Sequence, residues 1–276
     1  MKQPLSILLS LLMWVLCFSG CETAPPRKTL PPLRIQTATL EELTAKINAS
    51  SEAMKTLKTT LSIRVREKEM DGVRECQGLL AYEKPSNLYL KGYRPLIPTF
   101  FTLVSKNGEF WVHVPKENRV LTGRVSDLNE SDNLQMGIRP DDLLRTLNIH
   151  PIPASTTHVV EIQEASAQYI LSVFRTDGTD KFLERQIWIE RYFLNVEREI
   201  YYNAYGVVEV DISRKDYVNE GPVYFPQEMV IFRPDRGTSL FLRANKLLIN
   251  PELKQDLFEF QMPGGATVET LKKEPS

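Results

Sequence analysis

The chain has 276 residues, of which 42% are hydrophobic and 25% charged, a composition that excludes an intrinsically disordered, collagen-like or multi-span membrane protein. Its 34 basic and 35 acidic residues nearly cancel, so the chain lacks the basic excess that nucleic-acid binding requires. Of its three cysteines, only Cys76 lies beyond residue 21, which excludes an intramolecular disulfide framework.

An apolar segment without charges lies near the start of the chain. Leu5 to Leu16 is a run of twelve residues without a charge. As a helix this segment is about 18 Å long, at ~1.5 Å per residue, and is too short for a hydrocarbon core of ~30 Å. The segment therefore predicts a signal peptide rather than a stable membrane span.

Small residues and a cysteine, Phe18-Ser19-Gly20-Cys21, follow the apolar segment. They resemble the lipobox of bacterial lipoproteins, with Phe18 where Leu is usual. The resemblance implies a signal peptide over residues 1–20 and acylation of Cys21. An ordinary secretory signal or an uncleaved anchor is the alternative. Glu22, directly after the cysteine, is similar to the residues that permit export of lipoproteins to the outer membrane. We therefore expect a lipid anchor in the outer membrane, with the protein facing the periplasm.

A proline-rich stretch comes next. Thr23 to Pro32 contains four prolines, too many for a helix or a central strand. Residues 21–37 are therefore expected to be a lipidated, extended tether, and residues 38–276 the folded domain.

A helix is predicted from Thr39, because Thr39 and Glu42 match a capping box. Apolar residues at helical spacing then form one stripe: Leu40, Leu43, Ile47, Met54 and Leu57. We interpret this helix as one that covers a sheet.

From Thr59 the hydrophobic period changes to two residues, which is typical of strands with one solvent-exposed face. The predicted strands are Leu61 to Arg66, Gly78 to Tyr82, Leu88 to Gly92, Phe101 to Ser105, Phe110 to Val114, Tyr169 to Phe174, Gln186 to Ile189, Val207 to Ser213, Met229 to Phe232 and Ser239 to Leu248. Asn107-Gly108 is the strongest hairpin signal.

Two further helical signals are brief. Pro140 to Leu147 begins with acidic residues and predicts a short helix, and Asn250 to Leu253 resembles a capped helical turn. The order of signals predicts one α+β, mainly β domain in which a large antiparallel sheet embraces a helix.

No pattern of catalytic or metal-ligating residues is evident. His113, His150 and His158 are isolated, and helix-start electrostatics accounts for Asp141-Asp142. Cys76 is interpreted as a small buried hydrophobe. We therefore predict no enzyme activity, no metal and no cofactor, which leaves a binding or structural role.

The order of weak motifs along the chain resembles a known family. Gly78-Leu79-Leu80, Pro85, Leu88, Leu103-Val104-Ser105, Gly108, Trp111 and Pro115 are followed near the end by Leu257 to Val268, with Phe-x-Phe and then Pro, Gly and Val. Together they are similar to the LolA/LolB superfamily of periplasmic lipoprotein carriers, and Leu257 to Val268 resembles the closing strand of that family. The resemblance implies a curved antiparallel sheet that forms an unclosed barrel, covered by helices, with an apolar cavity for acyl chains.

The resemblance also implies site residues. Candidates for the cavity lining on the concave face are Leu61, Ile63, Val65, Leu88, Leu90, Phe101, Leu103 and Trp111; in the alternative, they pack directly against the helix. The loop Tyr93 to Thr99 presents Leu96 and Ile97 for contact with membrane or cargo, or folds them under the rim. Asn87 to Lys91 lacks the Arg that soluble carriers use to hold their covering helices.

Two functions follow from these patterns. The first is a lipoprotein of the outer membrane that binds acyl chains or lipoprotein cargo for trafficking or sensing, with a periplasmic carrier or an envelope assembly factor as a further partner. The second is a non-catalytic structural or assembly accessory of the cell envelope. Nucleic acid is not an expected partner.

Overall fold

The computed structural model describes residues 34–68, 72–125 and 139–271. The chain divides into two units, Met1–Arg34 and Ile35–Ser276, and the helices and strands described here belong to the second. The predicted signal peptide, Cys21 and most of the predicted tether lie outside the described residues.

Fourteen strands in the described part of the chain form one sheet. They are β1 Thr56–Arg66, β2 Arg74–Glu83, β3 Asn87–Arg94, β4 Ile97–Lys106, β5 Glu109–Val114, β6 Arg119–Arg124, β7 His158–Glu164, β8 Gln168–Asp177, β9 Asp180–Glu190, β10 Val196–Tyr202, β11 Val208–Glu220, β12 Val223–Arg233, β13 Thr238–Ile249 and β14 Thr267–Thr270.

The strand order is β14-β6-β5-β4-β3-β2-β1-β13-β12-β11-β10-β9-β8-β7. β14 pairs with β6 in parallel, and the other pairs are antiparallel. The edge strands β14 and β7 stand at opposite ends of this order, so the sheet is not closed. The predicted fold class, mainly β with an unclosed antiparallel sheet and covering helices, is confirmed.

The first helix, α1, spans Leu40–Ala53 and begins with the predicted capping box. The Glu42 amide donates to Thr39 Oγ1 at 3.2 Å, and the Thr39 amide donates to Glu42 Oε2 at 2.8 Å. The predicted apolar stripe runs too far, however, because Met54 caps the helix and Leu57 already belongs to β1. Pairing of β1 with both β2 and β13 outweighs the helical spacing there.

The second helix, α2, spans Pro140–Leu147, as predicted, and the sheet curves around it. Leu143 of α2 shares a cavity with Phe101 of β4, while the Arg145 carbonyl accepts a hydrogen bond from Arg214 of β11. In a flat sheet, six strand spacings of ~4.8 Å would place β4 and β11 about 29 Å apart, whereas a helix with its side chains is only about 10–12 Å wide. Curvature of the sheet lets the same short helix contact both.

The predicted helical turn over Asn250 to Leu253 is wrong. Asn250 has a positive φ of 54°, unlike a helix N-cap, and its Oδ1 accepts from the amides of Lys55 and Thr56 at the start of β1. A short 3-10 helix forms later, at Gln255–Phe258, so the Phe-x-Phe segment is not a strand. This C-terminal segment instead packs on the outer face of β3 and β4, where Phe258 is fully buried.

None of the helices in the described residues is long and apolar enough to span a membrane.

Candidate functional site

Strand register places seven of the eight predicted cavity residues on the inner face of the sheet. Ile63 of β1 pairs with Cys76 of β2 and Leu242 of β13, and Leu90 of β3 pairs with Leu103 of β4. Because side chains alternate along a strand, the same face carries this set: Leu61, Ile63, Val65, Leu88, Leu90, Phe101 and Leu103.

Trp111 lies on the opposite face, so its prediction as a concave-face residue is wrong. Leu103 pairs with Val112, and Trp111 pairs with Val104. The Trp111 ring stacks on Phe260 of the C-terminal segment, with ring centroids 6.0 Å apart. Single-strand alternation does not reveal which face is inner when both faces of β5 are covered.

A cavity of about 280 Å³ lies between the inner face and α2. It occurs where β1 and β3 end and where β2, β4 and β13 begin. Four predicted residues line it, and the described lining is Ile63, Val65, Glu67, Arg74, Glu75, Cys76, Leu90, Arg94, Phe100, Phe101, Leu143, Leu240 and Leu242. Arg74, Glu75 and Arg94 are exposed, so the cavity reaches the surface.

The remaining predicted residues belong to a packed core. Leu61, Leu88 and Leu103 are almost completely buried and do not line the cavity. They form one cluster with leucines of α2, including Leu143 and Leu147. The interior is thus filled along most of the sheet and open at one end.

Two glycines help to keep that end open. A Cβ atom at Gly78 would lie 2.7 Å from Ile63 Cδ1, and one at Gly92 would lie 2.3 Å from the Phe101 ring. Since neither glycine carries a side chain, Ile63 and Phe101 lie over the strand backbone. A larger residue at either position would push these side chains into the cavity.

Cys76, interpreted as a small buried hydrophobe, packs against the apolar core but is only half-buried, in the cavity wall. Burial raises the pKa of the Cys76 thiol, and the positive charge of Arg94 partly opposes that rise. The thiol is therefore protonated at neutral pH.

The predicted contact loop is a tight hairpin turn beside the cavity. Arg94 pairs with Ile97, so Pro95 and Leu96 form the two-residue connection. Ile97 is the first residue of β4. The Leu96 side chain is fully exposed and its φ is 64°, as in the second central residue of a type II turn, a position that favours Gly or Asn.

Buried arginines hold α2 at both of its ends. Arg233 of β12 donates to both carboxylate oxygens of Asp142, and Arg214 of β11 donates to the Arg145 carbonyl at 2.9 Å. Arg214 also pairs with Glu199 of β10 at 2.6 Å, and both side chains are completely buried.

Sequence reasoning missed these contacts. Asn87 to Lys91 indeed supplies no Arg to a covering helix, but two strands far along the chain supply one each. An Arg at an inward position of an alternating strand, as Arg214 is after Val210 and Ile212, is the signal that indicates such a buried partner.

No group of three or more His, Cys, Asp or Glu side chains is placed to hold a metal ion within 34–68, 72–125 and 139–271. His158 lies 3.3 Å from Glu184, and His113 is on the outer face of β5.

Solved structures of other proteins share this unclosed, mainly antiparallel fold. The chain is similar to a LolA superfamily protein from Nitrosomonas europaea, with a TM-score of 0.55, 11% identity, and coverage of 81% of this chain and 99% of the other. It is similar to a domain from Vibrio parahaemolyticus named for outer membrane lipoprotein sorting, with a TM-score of 0.53, 13% identity, and coverage of 78% and 94%.

A DUF1329 family protein from Desulfovibrio piger is also similar, with a TM-score of 0.54, 13% identity, and coverage of 79% and 94%. No protein-family model matches the chain, and no curated protein matches it in sequence. At these identities the likeness shows the fold, and the fold that the sequence motifs predicted is confirmed.

Proposed function

We propose that this chain is a periplasmic lipoprotein, anchored in the outer membrane, that binds acyl chains or lipoproteins for trafficking or sensing. The observation that carries the proposal is the apolar cavity lined by Ile63, Val65, Leu90 and Phe101. Burial of one methylene contributes ~0.8 kcal/mol, so ten methylenes contribute about 8 kcal/mol before ordering costs. Such binding requires no catalytic residue, and the likeness to lipoprotein-sorting folds supports it.

The anchor is proposed at Cys21, after removal of residues 1–20, with residues 21–37 as the tether and 38–276 as the binding domain. Two or more acyl chains hold a protein firmly at a membrane, whereas one binds only reversibly. Labelling cells with a radioactive fatty acid tests this part of the proposal. The mature chain should incorporate label, and Cys21→Ser should abolish incorporation; label on the Cys21→Ser chain would contradict the anchor.

We further propose that the hairpin tip contacts membrane or cargo through Leu96, with Ile97 beside it. A leucine in the left-handed region costs about 1–2 kcal/mol, and here its side chain gains no burial in return. A turn selected for stability alone would favour Gly or Asn at this position. An exposed apolar tip next to the cavity would allow an acyl chain to pass between the membrane or cargo and the cavity.

The central experiment measures binding of a fluorescent fatty acid to the domain without its anchor, after mass spectrometry of lipids that co-purify with it. Val65→Phe should fill the cavity and weaken binding at least tenfold. Leu79→Phe is the matched control, since Leu79 lies on the outer face of the neighbouring strand and is 40% exposed. Absence of saturable binding to a folded wild-type domain would overturn the proposal.

The alternative, a structural or assembly accessory, draws support from the filled interior around Leu61, Leu88 and Leu103. Crosslinking in cells distinguishes the two functions. A carrier should trap many lipoproteins, or lipid, near Leu96, whereas an accessory should trap one defined envelope protein at the same position.

A further inference from the structure

Two arginines stand at the mouth of the cavity, on strands that neighbour each other. Arg74 is the first residue of β2 and pairs with Val65, which places it on the inner face with the cavity lining. Arg94 is the last residue of β3 and also lines the cavity. The apolar cavity thus has two guanidinium groups at its rim, beside Glu67 and Glu75.

The Arg94 guanidinium is held in place but not neutralised. Its Nε donates to the Glu75 carbonyl at 2.8 Å, and the guanidinium lies 5.3 Å from the centre of the Phe100 ring. Neither contact uses the two Nη groups, which form no hydrogen bond or ion pair with the described residues. Arg74 has neither a hydrogen bond nor an ion pair within the described part of the chain.

The nearby carboxylates do not cancel this charge. Glu75 also lines the cavity, but it is the cross-strand neighbour of Arg64 between β1 and β2, so by strand alternation its side chain belongs to the outer face. Glu67 lines the cavity but forms no ion pair with either arginine in the described structure. The charged residues that line the cavity are therefore two arginines and two glutamates, and strand alternation directs the side chain of Glu75 away from the inner face.

We propose that this rim binds the anionic headgroup of a single-chain amphiphile whose chain occupies the cavity. Guanidinium groups bind carboxylate and phosphate oxygens in pairs, with a geometry that an ammonium cannot match. A cavity of about 280 Å³ is at the small end of ligand pockets, which span about 300–1,000 Å³, so it suits one chain rather than several. This inference rests on the proposed function and narrows its ligand to a fatty acid or a single-chain lipid phosphate.

The test compares amphiphiles that share a ten-carbon chain: decanoate, decyl phosphate and decan-1-ol. Calorimetry on the anchor-free domain at pH 7.5 should show both anions binding at least tenfold tighter than the alcohol, which corresponds to about 1.4 kcal/mol. Arg74→Gln and Arg94→Gln should each reduce that ratio by threefold or more and leave the affinity for decan-1-ol unchanged.

Arg64→Gln is the control, because Arg64 lies on the outer face of β1 over the Phe241 ring. It should leave the ratio unchanged. Equal affinity for the anions and the alcohol would overturn the headgroup site while leaving the acyl cavity in place. Binding of none of the three compounds would overturn the proposed function itself.

Inorganic phosphate distinguishes a lipid headgroup from a free anion. It should compete with decyl phosphate only in the millimolar range, because it lacks the chain. Phosphate that binds as tightly as decyl phosphate would overturn the amphiphile assignment.

Discussion

Arg233 Nη1 donates hydrogen bonds to both carboxylate oxygens of Asp142, at 3.1 and 2.9 Å, inside the protein. The two side chains are 4% and 2% exposed, so the pair fastens the start of α2 to the end of β12 out of reach of water. Burial alone would lower the pKa of Arg233, but the neighbouring Asp142 raises it overall. The Arg233 guanidinium therefore remains charged beside Asp142 at neutral pH.

Removal of either Arg233 or Asp142 should lower the free energy of unfolding strongly. Arg233→Met leaves the Asp142 carboxylate buried without its main partner, and we expect a loss of about 3–5 kcal/mol in the free energy of unfolding. Urea denaturation measures the loss. Arg243→Met is the matched control, since Arg243 forms a similar pair with Glu228 on the surface and should cost no more than about 1 kcal/mol.

The double variant Arg233→Met/Asp142→Leu separates a lost contact from a stranded charge. It should be more stable than Arg233→Met alone, because no unpaired carboxylate remains. A double variant that is less stable by the sum of both single losses would show that the pair is not coupled.

Local patterns predicted much of this fold and little of what holds it together. The capping box at Thr39, the helix over Pro140–Leu147 and the Asn107-Gly108 hairpin depend on neighbouring residues, and the structure has all three. Strands β6, β7, β10 and β14 were not predicted, because their alternation is weak and their place depends on partners.

Long-range relationships explain the remaining errors. Arg233 and Asp142 are separated by 91 residues, and no local pattern joins them. Trp111 fits an alternating strand equally well with either face inward, and the register with β4, which pairs Leu103 with Val112, determines which one. The rim arginines are likewise brought to the cavity by pairing between strands.

Buried tyrosines predict a loss of stability at high pH. Burial raises the pKa of Tyr201 to about 12, and the adjacent Glu199 adds to that rise. Below pH 10 the phenol is protonated in both states, so its contribution is complete. Above pH 10 the unfolded chain ionises first, and stability should fall by up to about 1.4 kcal/mol per pH unit for this group.

Urea midpoints between pH 9 and 11.5 measure this slope. Tyr201→Phe should reduce the slope by the contribution of one group, while the buried Tyr82 and Tyr217, whose pKa values burial also raises, maintain the rest. Tyr205→Phe should leave it unchanged, because Tyr205 lies in a hairpin turn and is 90% exposed. An equal slope in the wild type and Tyr201→Phe would contradict the assignment.

The Cys76 thiol predicts how the cavity responds to a ligand. Because burial raises its pKa, less thiolate is present at a given pH, and alkylation by iodoacetamide should be slower than for a free thiol. The rate should still be rising at a pH where a free thiol has reached its plateau. In the domain that starts after Cys21, Cys76 is the single cysteine, so the rate reports on this wall alone.

Saturating decanoate should slow the alkylation of Cys76 at least fivefold, since a chain in the cavity covers the thiol. Mass spectrometry of the alkylated protein follows the reaction. Val65→Phe should remove the protection. Full protection in that variant would place the ligand elsewhere.

Leu96→Asn should separate stability from function at the hairpin tip. Asn tolerates the left-handed φ of 64° better than Leu, so the free energy of unfolding of the variant should rise by up to about 1 kcal/mol. Urea denaturation measures the rise. It also removes a fully exposed apolar side chain that a lipid surface would bury. Binding of the anchor-free domain to phospholipid vesicles, followed by flotation, should therefore weaken at least threefold.

The exposed Val207, at the β10–β11 hairpin, provides the control variant Val207→Asn. If Leu96→Asn raised stability without changing vesicle binding or fatty-acid uptake, Leu96 would have no contact role. Opposite changes in stability and binding would show that the turn retains a strained residue because its side chain touches lipid.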